Sequence, residues 1–197
     1  MIDIALLSPY PERLIDIIEE NNCRITDDLQ TANLIVSYGH RELIKEPILS
    51  MFRRRIVNIH LSYLPWNRGA SPNFWSWWDN TPKGVSIHFV DAGIDTGPVI
   101  LQRQYSDLFF GADATLLSSY NQLRYEAEIL FSQFLPLYID AHMIGNPLGS
   151  IRTIGEGSYH KKTDIDPIWP LLPKGWETPV SSFPGIKECF TNATTNN

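Results

Sequence analysis

Short runs of branched apolar residues alternate with stretches of helical periodicity along most of the chain, and this alternation restricts the fold more than any other feature. Runs that favour strands occur over 2–7, 23–26, 33–38, 54–65, 85–90 and 99–105. Apolar side chains at helical spacing predict a helix around 14–21, another over about 41–52 and, after the last strand, a long one over about 113–143. This order is typical of an α/β domain with an open, mostly parallel sheet and flanking helices.

A further helix is predicted to begin at Ser71 and Pro72, because serine is a favoured N-cap and proline fits the first helical position. It carries the aromatic residues of 74–78, whose spacing is more typical of a buried helix face than of a ligand platform. After the long helix the regular pattern ends. We therefore expect one domain over 1–145 and an irregular C-terminal extension over 146–197, with a possible hairpin near its start. The extension is expected to pack on the domain or on a partner subunit and to end in a frayed tail.

The charge balance argues against some classes of function. Sixteen lysine and arginine residues stand against 22 aspartate and glutamate residues, a net charge of −6, whereas nucleic acids and anionic membranes call for a basic face. We expect neither nucleic-acid binding nor membrane insertion, since no apolar run reaches the length of a membrane span. Cys23 and Cys189 are too few for a disulfide framework, and no residues have metal-ligand spacing. A reduced, cytoplasmic protein without a metal is the expectation.

Two polar features follow neighbouring predicted strands. Asn58 and His60 are two residues apart on one strand, so their side chains point to the same face. The strand closes at Pro65, which puts the pair near the carboxyl edge, where open α/β sheets bind their ligands. Asp91 and Asp95 lie in a glycine-containing turn after a later strand, and strand pairing would bring Asp95 near His60.

The three side chains Asn58, His60 and Asp95 suit acyl transfer. A carboxamide N–H can donate to an oxygen that becomes negative, an imidazole can exchange a proton near neutral pH, and a carboxylate can orient that imidazole. No Gly-x-Ser-x-Gly elbow is present, so the attacking group is expected to come from a substrate. Each residue also has a plain structural interpretation: a strand-end amide, a half-buried structural histidine and a turn aspartate.

The segment NIHLSYLPWNRGASPNFWSWW, followed by GVSIHFVDAGIDTGPVILQ, resembles the folate-dependent formyltransferase family. That family has an Asn-x-His strand, a Leu-Pro-x-x-Arg-Gly turn and an Asp-x-Gly-x-Asp-Thr-Gly loop. The match is continuous over 58–102, and a looser match, LIVSYGHREL, precedes it. The resemblance implies a Rossmann-like fold, 10-formyltetrahydrofolate as the formyl donor and tetrahydrofolate as the product. It also implies that Asn58, His60 and Asp95 are the catalytic trio.

Further residues are expected to bind ligands. The resemblance implies that Arg41, Glu42, Leu43, His88 and Asp91 lie at the cofactor, with packing as the alternative for His88. Arg68, in the turn after the Asn-x-His strand, is expected to meet a phosphate or a sugar hydroxyl, with a surface salt bridge as the alternative. Ser8 and Tyr10, in the first turn, are expected to contact the acceptor.

Departures from the family's sequence pattern limit the choice of formyl acceptor. The turn SPYPERL lacks the glycines of the phosphate loop in glycinamide ribonucleotide enzymes. Methionyl-tRNA enzymes carry a further C-terminal domain and need a basic surface, and formyltetrahydrofolate hydrolases add an N-terminal regulatory domain. The segment GEGSYHKKTDID resembles the stretch after the core in sugar N-formyltransferases. The prediction is therefore formyl transfer to the amine of a nucleotide-linked amino-deoxysugar, for cell-surface polysaccharides such as O-antigen.

Three alternatives remain open: a formyltransferase for another small amine, a formyltetrahydrofolate hydrolase, and a non-catalytic module that binds folate or a nucleotide. Only 57 residues precede Asn58, fewer than is usual in the family. The front half is therefore expected to be shortened, with an acceptor pocket that is open or completed by a second subunit of a homodimer.

Overall fold

The computed structural model describes residues 1–151 and 156–195. Its centre is a six-stranded sheet, and a two-stranded ribbon lies apart from it. The strands are β1 (Asp3–Leu7), β2 (Arg24–Ile25), β3 (Leu34–Tyr38), β4 (Ile56–His60), β5 (Arg68–Gly69), β6 (Lys83–Phe89), β7 (Val99–Tyr105) and β8 (Tyr159–His160). The order in the large sheet is β2-β1-β3-β4-β6-β7. The pairs among β2, β1, β3 and β4 are parallel, whereas β4–β6 and β6–β7 are antiparallel. The predicted open, mostly parallel α/β sheet is confirmed.

Five α-helices and several short 3-10 turns flank the strands in the described ranges. The helices are α1 (Glu12–Glu20), α2 (Ile48–Met51), α3 (Pro72–Trp78), α4 (Leu116–Met143) and α5 (Phe183–Thr195). The 3-10 turns are Asp107–Phe110, Lys162–Ile165, Trp169–Leu171, Gly175–Glu177 and Val180–Ser182. The long helix α4 begins after Thr115, whose hydroxyl accepts from the Ser118 N–H, and Ser118 Oγ in turn accepts from the Thr115 N–H.

One predicted helix start is wrong, and at a second, correctly predicted start the expected side-chain cap is absent. The helix expected from residue 41 begins only at Ile48, because Pro47 has no N–H to give and disfavours helical geometry at the residue before it. Ser71 does precede the first residue of α3, but its φ of 53° is left-handed and its hydroxyl makes no capping hydrogen bond. A side-chain cap needs extended geometry at that position.

The main hydrophobic core lies between one face of the sheet and helices α1, α3 and α4. Val57 and Ile59 point into this core from β4, as the strand alternation predicts. Phe74, Trp75 and Trp78 are buried on α3, which confirms that their spacing marks a core face. A smaller cluster covers the opposite face of the sheet and consists of Ala5, Ala32, Ile35, Phe52 and Ile56.

The described part of the segment after residue 145 packs on the same core. Val180 and Phe183 belong to the main cluster, and the Lys187 ammonium lies 3.0 Å from an Asp79 carboxylate oxygen at the end of α3. Helix α5 was not expected, and it takes in residues 191–195, which the sequence assigned to a frayed tail. The hairpin expected near 151–160 lies partly outside the described residues, and its last two residues form β8, which pairs with β5. None of the helices in the described ranges has the length and apolar character of a membrane span.

Candidate active site

Strand β4 presents Asn58 and His60 on the sheet face opposite Val57 and Ile59. On the parallel neighbour β3, Ser37 is the register partner of Asn58, and its hydroxyl donates to Asn58 Oδ1 at 3.0 Å. This bond fixes the amide so that Nδ2 points away from β3. The strand alternation therefore sets the face, and the neighbouring strand sets the orientation of the carboxamide.

Asp95 reaches both residues from the loop after β6. Its Oδ1 accepts from Asn58 Nδ2 at 3.1 Å, and its Oδ2 lies 3.6 Å from His60 Nδ1. The loop is held in shape by Asp91, whose Oδ1 accepts from the Gly93 N–H at 3.0 Å and from the Thr96 hydroxyl at 2.6 Å. The predicted juxtaposition of Asn58, His60 and Asp95 is present in the structure.

The His60 ring is fixed at its other nitrogen. Nε2 lies 3.0 Å from the backbone carbonyl of Asn67. A carbonyl only accepts, so Nε2 carries the proton of this hydrogen bond. Nδ1, which faces Asp95, is therefore the nitrogen that can take up and release a proton.

Asp95 is held as a carboxylate. Burial raises its pKa, but the charge of His60, the hydrogen bond and charge of His88 and the Gly69 N–H together outweigh burial. The Gly69 N–H donates to Oδ2 at 2.8 Å. The net result is a pKa of Asp95 well below its ordinary value of 3.8.

His88 lies beneath the other site residues, with 2% of its surface exposed. Its Nε2 is 3.3 Å from Asn58 Nδ2 and 3.4 Å from Asp95 Oδ1, while Nδ1 donates to the Phe89 carbonyl at 2.8 Å. Apart from the bond to the Phe89 carbonyl, these contacts are with Asn58 and Asp95, which His88 therefore supports.

The turn after β4 supports His60 and Asp95 through Asn67 and Gly69, and the C-terminal segment makes hydrogen bonds to this turn. The Asn67 N–H donates to Ser158 Oγ at 2.8 Å, and Ser158 Oγ donates to Asn67 Oδ1 at 3.0 Å. The Arg68 N–H donates to the Ser158 carbonyl and the Ala70 N–H to the His160 carbonyl, both at 3.0 Å. The turn that anchors His60 and Asp95 is therefore clamped by residues 158–160.

Sequence reasoning missed four supporting residues: Ser37, Asn67, Gly69 and Ser158. Ser37 could have been found by aligning the ends of the two adjacent parallel strands. Asn67 and Gly69 lie within the quoted Leu-Pro-x-x-Arg-Gly turn, but nothing local marks their contacts. Ser158 gives no local signal, because its partner Asn67 is 91 residues away.

Arg41, Glu42 and Leu43, predicted at the cofactor, follow β3 in an exposed segment. Their backbone makes no hydrogen bond to other backbone groups in the part of the chain that the structure describes. Leu43 is 62% exposed. The segment follows β3, which neighbours in the sheet the strand β4 that carries Asn58.

The residues predicted at the acceptor occupy two places. Arg68 lies on β5 beside Gly69, half-buried, and its buried Nε has no hydrogen-bond partner within the described ranges. Ser8 and Tyr10 follow β1, where Ser8 Oγ accepts from the Tyr10 N–H at 3.0 Å. The Tyr10 ring lies against Tyr38 at the end of β3, 6.2 Å between centroids. Arg68 thus adjoins the trio, while Ser8 and Tyr10 lie at the carboxyl edge two strands away.

An open α/β sheet with an oriented carboxamide, imidazole and carboxylate at its edge has the form of an enzyme that binds ligands beyond the strand ends. Within the described ranges, no three histidine, cysteine, aspartate or glutamate residues form a group that could hold a metal ion. The model of the formyl transferase family matches residues 17–133. The chain belongs to this family, and the resemblance seen in the sequence is confirmed.

Known proteins of the family divide by acceptor. The structure is similar to the formyltransferase PseJ from Anoxybacillus kamchatkensis, solved with UDP-4,6-dideoxy-4-formamido-L-AltNAc and tetrahydrofolate. The TM-score is 0.81 at 37% identity, over 92% of this chain and 97% of that one. A sugar N-formyltransferase from Shewanella sp FDAARGOS_354 shares the fold, with a TM-score of 0.69 at 16% identity over 86% of this chain and 80% of that one. The methionyl-tRNA formyltransferase of Myxococcus xanthus is 31% identical over 56% of this chain and 34% of its own length. The chain spans between 21% and 34% of the curated relatives it matches.

Proposed function

We propose that the protein transfers the formyl group of 10-formyltetrahydrofolate to the amine of a nucleotide-linked amino-deoxysugar. The observation that carries this proposal is the match to PseJ over nearly the whole of both chains. That protein was solved with a nucleotide sugar bearing a formamido group and with tetrahydrofolate, which correspond to the two products of such a transfer.

The residues around Asn58 fit a folate. On one side, the exposed segment 41–43 offers backbone N–H and C=O groups without backbone partners, which can pair with the donors and acceptors of a flat heterocycle. On the other side runs the loop that carries Asp95. Leu43 and Ile94 are exposed apolar side chains on the two flanks and would cover the ring faces. The folate would supply the formyl carbon beside Asn58.

In the proposed reaction, the neutral amine of the sugar attacks the formyl carbon. As the new C–N bond forms, Asn58 Nδ2 and the protonated Nδ1 of His60 donate to the oxygen that becomes negative. Of the two amide hydrogens of Asn58, the one that donates to Asp95 Oδ1 in the structure is the one that would donate to this oxygen.

His60 and Asp95 then handle the proton. As the C–N bond to the folate breaks, the protonated Nδ1 of His60 gives its proton to the departing folate nitrogen. Nδ1 then takes up the proton that the attacking amine loses, because Nε2 is committed to the Asn67 carbonyl. Asp95 stabilises the charged imidazolium, and its low pKa keeps it ionised throughout. His88 acts as a positioning residue, through Asn58 and Asp95.

Mass spectrometry tests the proposal. The protein is incubated with 10-formyltetrahydrofolate and a panel of UDP- and dTDP-linked 4-amino and 3-amino sugars, and the products are examined for one added formyl group. Asn58→Ala and His60→Ala should each lower turnover by about 10² or more. The matched control His142→Ala changes an exposed histidine at the end of α4 and should leave turnover unchanged.

Other amines in the panel separate the alternatives. Methionyl-tRNA is included because the curated relatives carry that name, although a net charge of −6 opposes RNA binding. Transfer to methionyl-tRNA or to another small amine, with none to a nucleotide sugar, would overturn the acceptor class. Release of formate without any acceptor would indicate a hydrolase. Folate binding in a calorimeter without turnover would indicate a binding module.

A further inference from the structure

Two buried polar atoms near the carboxyl edge of the sheet have no hydrogen-bond partner of good geometry in the described part of the chain, although the two side chains that carry them are neighbours. They are the hydroxyl of Tyr38 and Nε of Arg124. Tyr38 is 2% exposed, and the Arg124 side chain is a polar neighbour that acts to lower the pKa of its hydroxyl. Since buried polar groups in native proteins are nearly always paired, two such atoms in one place point to a ligand.

Both atoms belong to a group that we call the tyrosine–arginine cluster: Tyr10, Tyr38, Tyr120 and Arg124. The guanidinium carbon of Arg124 lies 4.0 Å from the centroid of the Tyr10 ring. Tyr120 precedes Arg124 by one turn on the same face of α4. No carboxylate oxygen among the described residues lies within ion-pair distance of Arg124. Glu128, one turn further along α4, is its acidic neighbour at longer range.

The cluster offers donors to an anion. A guanidinium has only N–H donors, arranged to match the oxygens of a phosphate. Burial raises the pKa of Tyr38 to about 12 despite the nearby charge of Arg124, so its hydroxyl keeps its proton and can donate. Burial and the neighbouring Tyr10 likewise raise the pKa of Tyr120.

The cluster lies close to the proposed catalytic residues. Tyr38 is the last residue of β3 and pairs in register with Ile59, the residue between Asn58 and His60. The two backbones are thus one strand spacing apart, about 4.8 Å. Tyr38 and Ile59 point to the α4 face, and Asn58 and His60 point to the other. A ligand long enough to cross the carboxyl edge of the sheet would lie near both groups.

We propose that the tyrosine–arginine cluster binds the diphosphate of the nucleotide-linked acceptor. This inference rests on the proposed function, whose acceptor carries such a diphosphate between its base and its sugar. It also accounts for the turn SPYPERL, which has no glycine to bring backbone N–H groups to a phosphate. Side-chain donors of Tyr10, Tyr38, Tyr120 and Arg124 take over that task.

Calorimetric titration tests the inference. Wild-type protein is titrated with UDP, dTDP, inorganic pyrophosphate and uridine, and we expect the three phosphate compounds to bind and uridine to bind far more weakly. Arg124→Gln should weaken UDP binding about ten- to a hundredfold, and Tyr38→Phe about three- to tenfold, as expected for one charged and one neutral hydrogen-bonding group. The control Arg103→Gln removes an arginine of β7 whose partners are Gln133 and Glu126, and it should leave UDP binding unchanged.

Several results would overturn the inference. One is failure of the wild-type protein to bind UDP, dTDP and pyrophosphate. Another is unchanged UDP affinity in folded Arg124→Gln and Tyr38→Phe. A Tyr38→Phe variant that is more stable but binds UDP as before would show that the hydroxyl is merely an unpaired buried group.

The formyl-transfer assay keeps the two proposals distinguishable. Transfer to a nucleotide sugar with the same KM in wild type and Arg124→Gln would overturn the diphosphate site and leave the proposed function standing. Arg124-dependent binding of UDP without transfer to any nucleotide sugar would support the site and overturn the proposed acceptor.

Discussion

Replacing Ser158 with alanine would cut the link between the C-terminal segment and the turn that anchors His60. The Ser158 hydroxyl accepts from the Asn67 N–H at 2.8 Å and donates to Asn67 Oδ1 at 3.0 Å. Asn67 has no exposed surface, so water does not take over either bond. The backbone carbonyl of Asn67 accepts the hydrogen bond from Nε2 of His60. The substitution therefore acts on stability and on the site together.

The magnitude can be worked out from these contacts. A buried N–H left without a partner costs about 1–3 kcal/mol, and loss of a second neutral hydrogen bond costs about 1 kcal/mol. We expect the free energy of unfolding to fall by about 2–4 kcal/mol. The Asn67 side chain keeps its bonds to Thr81, at 2.8 and 3.2 Å, so the turn loosens without being lost. A loosened anchor for His60 should lower kcat about tenfold or more, with KM for the folate little changed.

Urea denaturation and steady-state kinetics over a range of pH measure both effects. The control is Ser132→Ala, since Ser132 Oγ donates to the Ile129 carbonyl of its own helix, at 2.7 Å. It should change stability by no more than about 0.5 kcal/mol. A Ser158→Ala variant with lowered stability but unchanged kcat and pH profile would refute the positioning role and leave only a structural clamp. Equal small effects in both variants would refute the clamp as well.

Two further predictions concern the loop that carries Asp95. The pKa of Asp95 in the folded state is lowered from 3.8. The carboxylate therefore contributes its full stabilisation above pH 3.8 and loses it as the pH falls further. In urea denaturation, Asp95→Asn should make the free energy of unfolding less dependent on pH in this acid range. An equally steep dependence in the variant would contradict a stabilising Asp95 carboxylate. In Gly97→Ala, the new Cβ would lie 1.7 Å from the Phe89 carbonyl oxygen, so the loop must shift. Turnover should fall at least tenfold, and near-normal kinetics would count against the loop geometry.

The parts of the fold that could be predicted depend on local patterns. Strand alternation fixes which side of β4 faces the core, and so it puts Asn58 and His60 on one face. The aromatic spacing of α3 marks its buried side through the periodicity of a helix. These features need only a few consecutive residues, which is why the sequence alone sufficed for them.

The parts that could not be predicted depend on distant contacts. Helix α5 has a proline and a glycine in its first turn and gains its support from packing of Phe183 and Phe190 against Trp78 on α3. Its existence is therefore a tertiary effect that overrides weak local propensity. The bonds between Ser158 and Asn67 are of the same kind. So is the contact of Arg124 with Tyr10, since α4 and the first turn meet only in the folded chain.

The position of Asp95 illustrates how a correct expectation can rest on an incomplete reason. The expectation from the sequence is that neighbouring strand ends meet at one edge, as parallel strands do. Strand β6 is instead antiparallel to β4, and Phe89 at its end pairs with Val57 near the start of β4. The loop must therefore double back along β4 to bring Asp95 to Asn58 and His60. The Phe89 N–H donates to the Pro98 carbonyl at 2.9 Å across this reversal. The glycine at 97, packed on the Phe89 carbonyl, is thus what the antiparallel pairing demands, and the Asp-x-Gly-x-Asp-Thr-Gly motif encodes a chain reversal as well as a carboxylate.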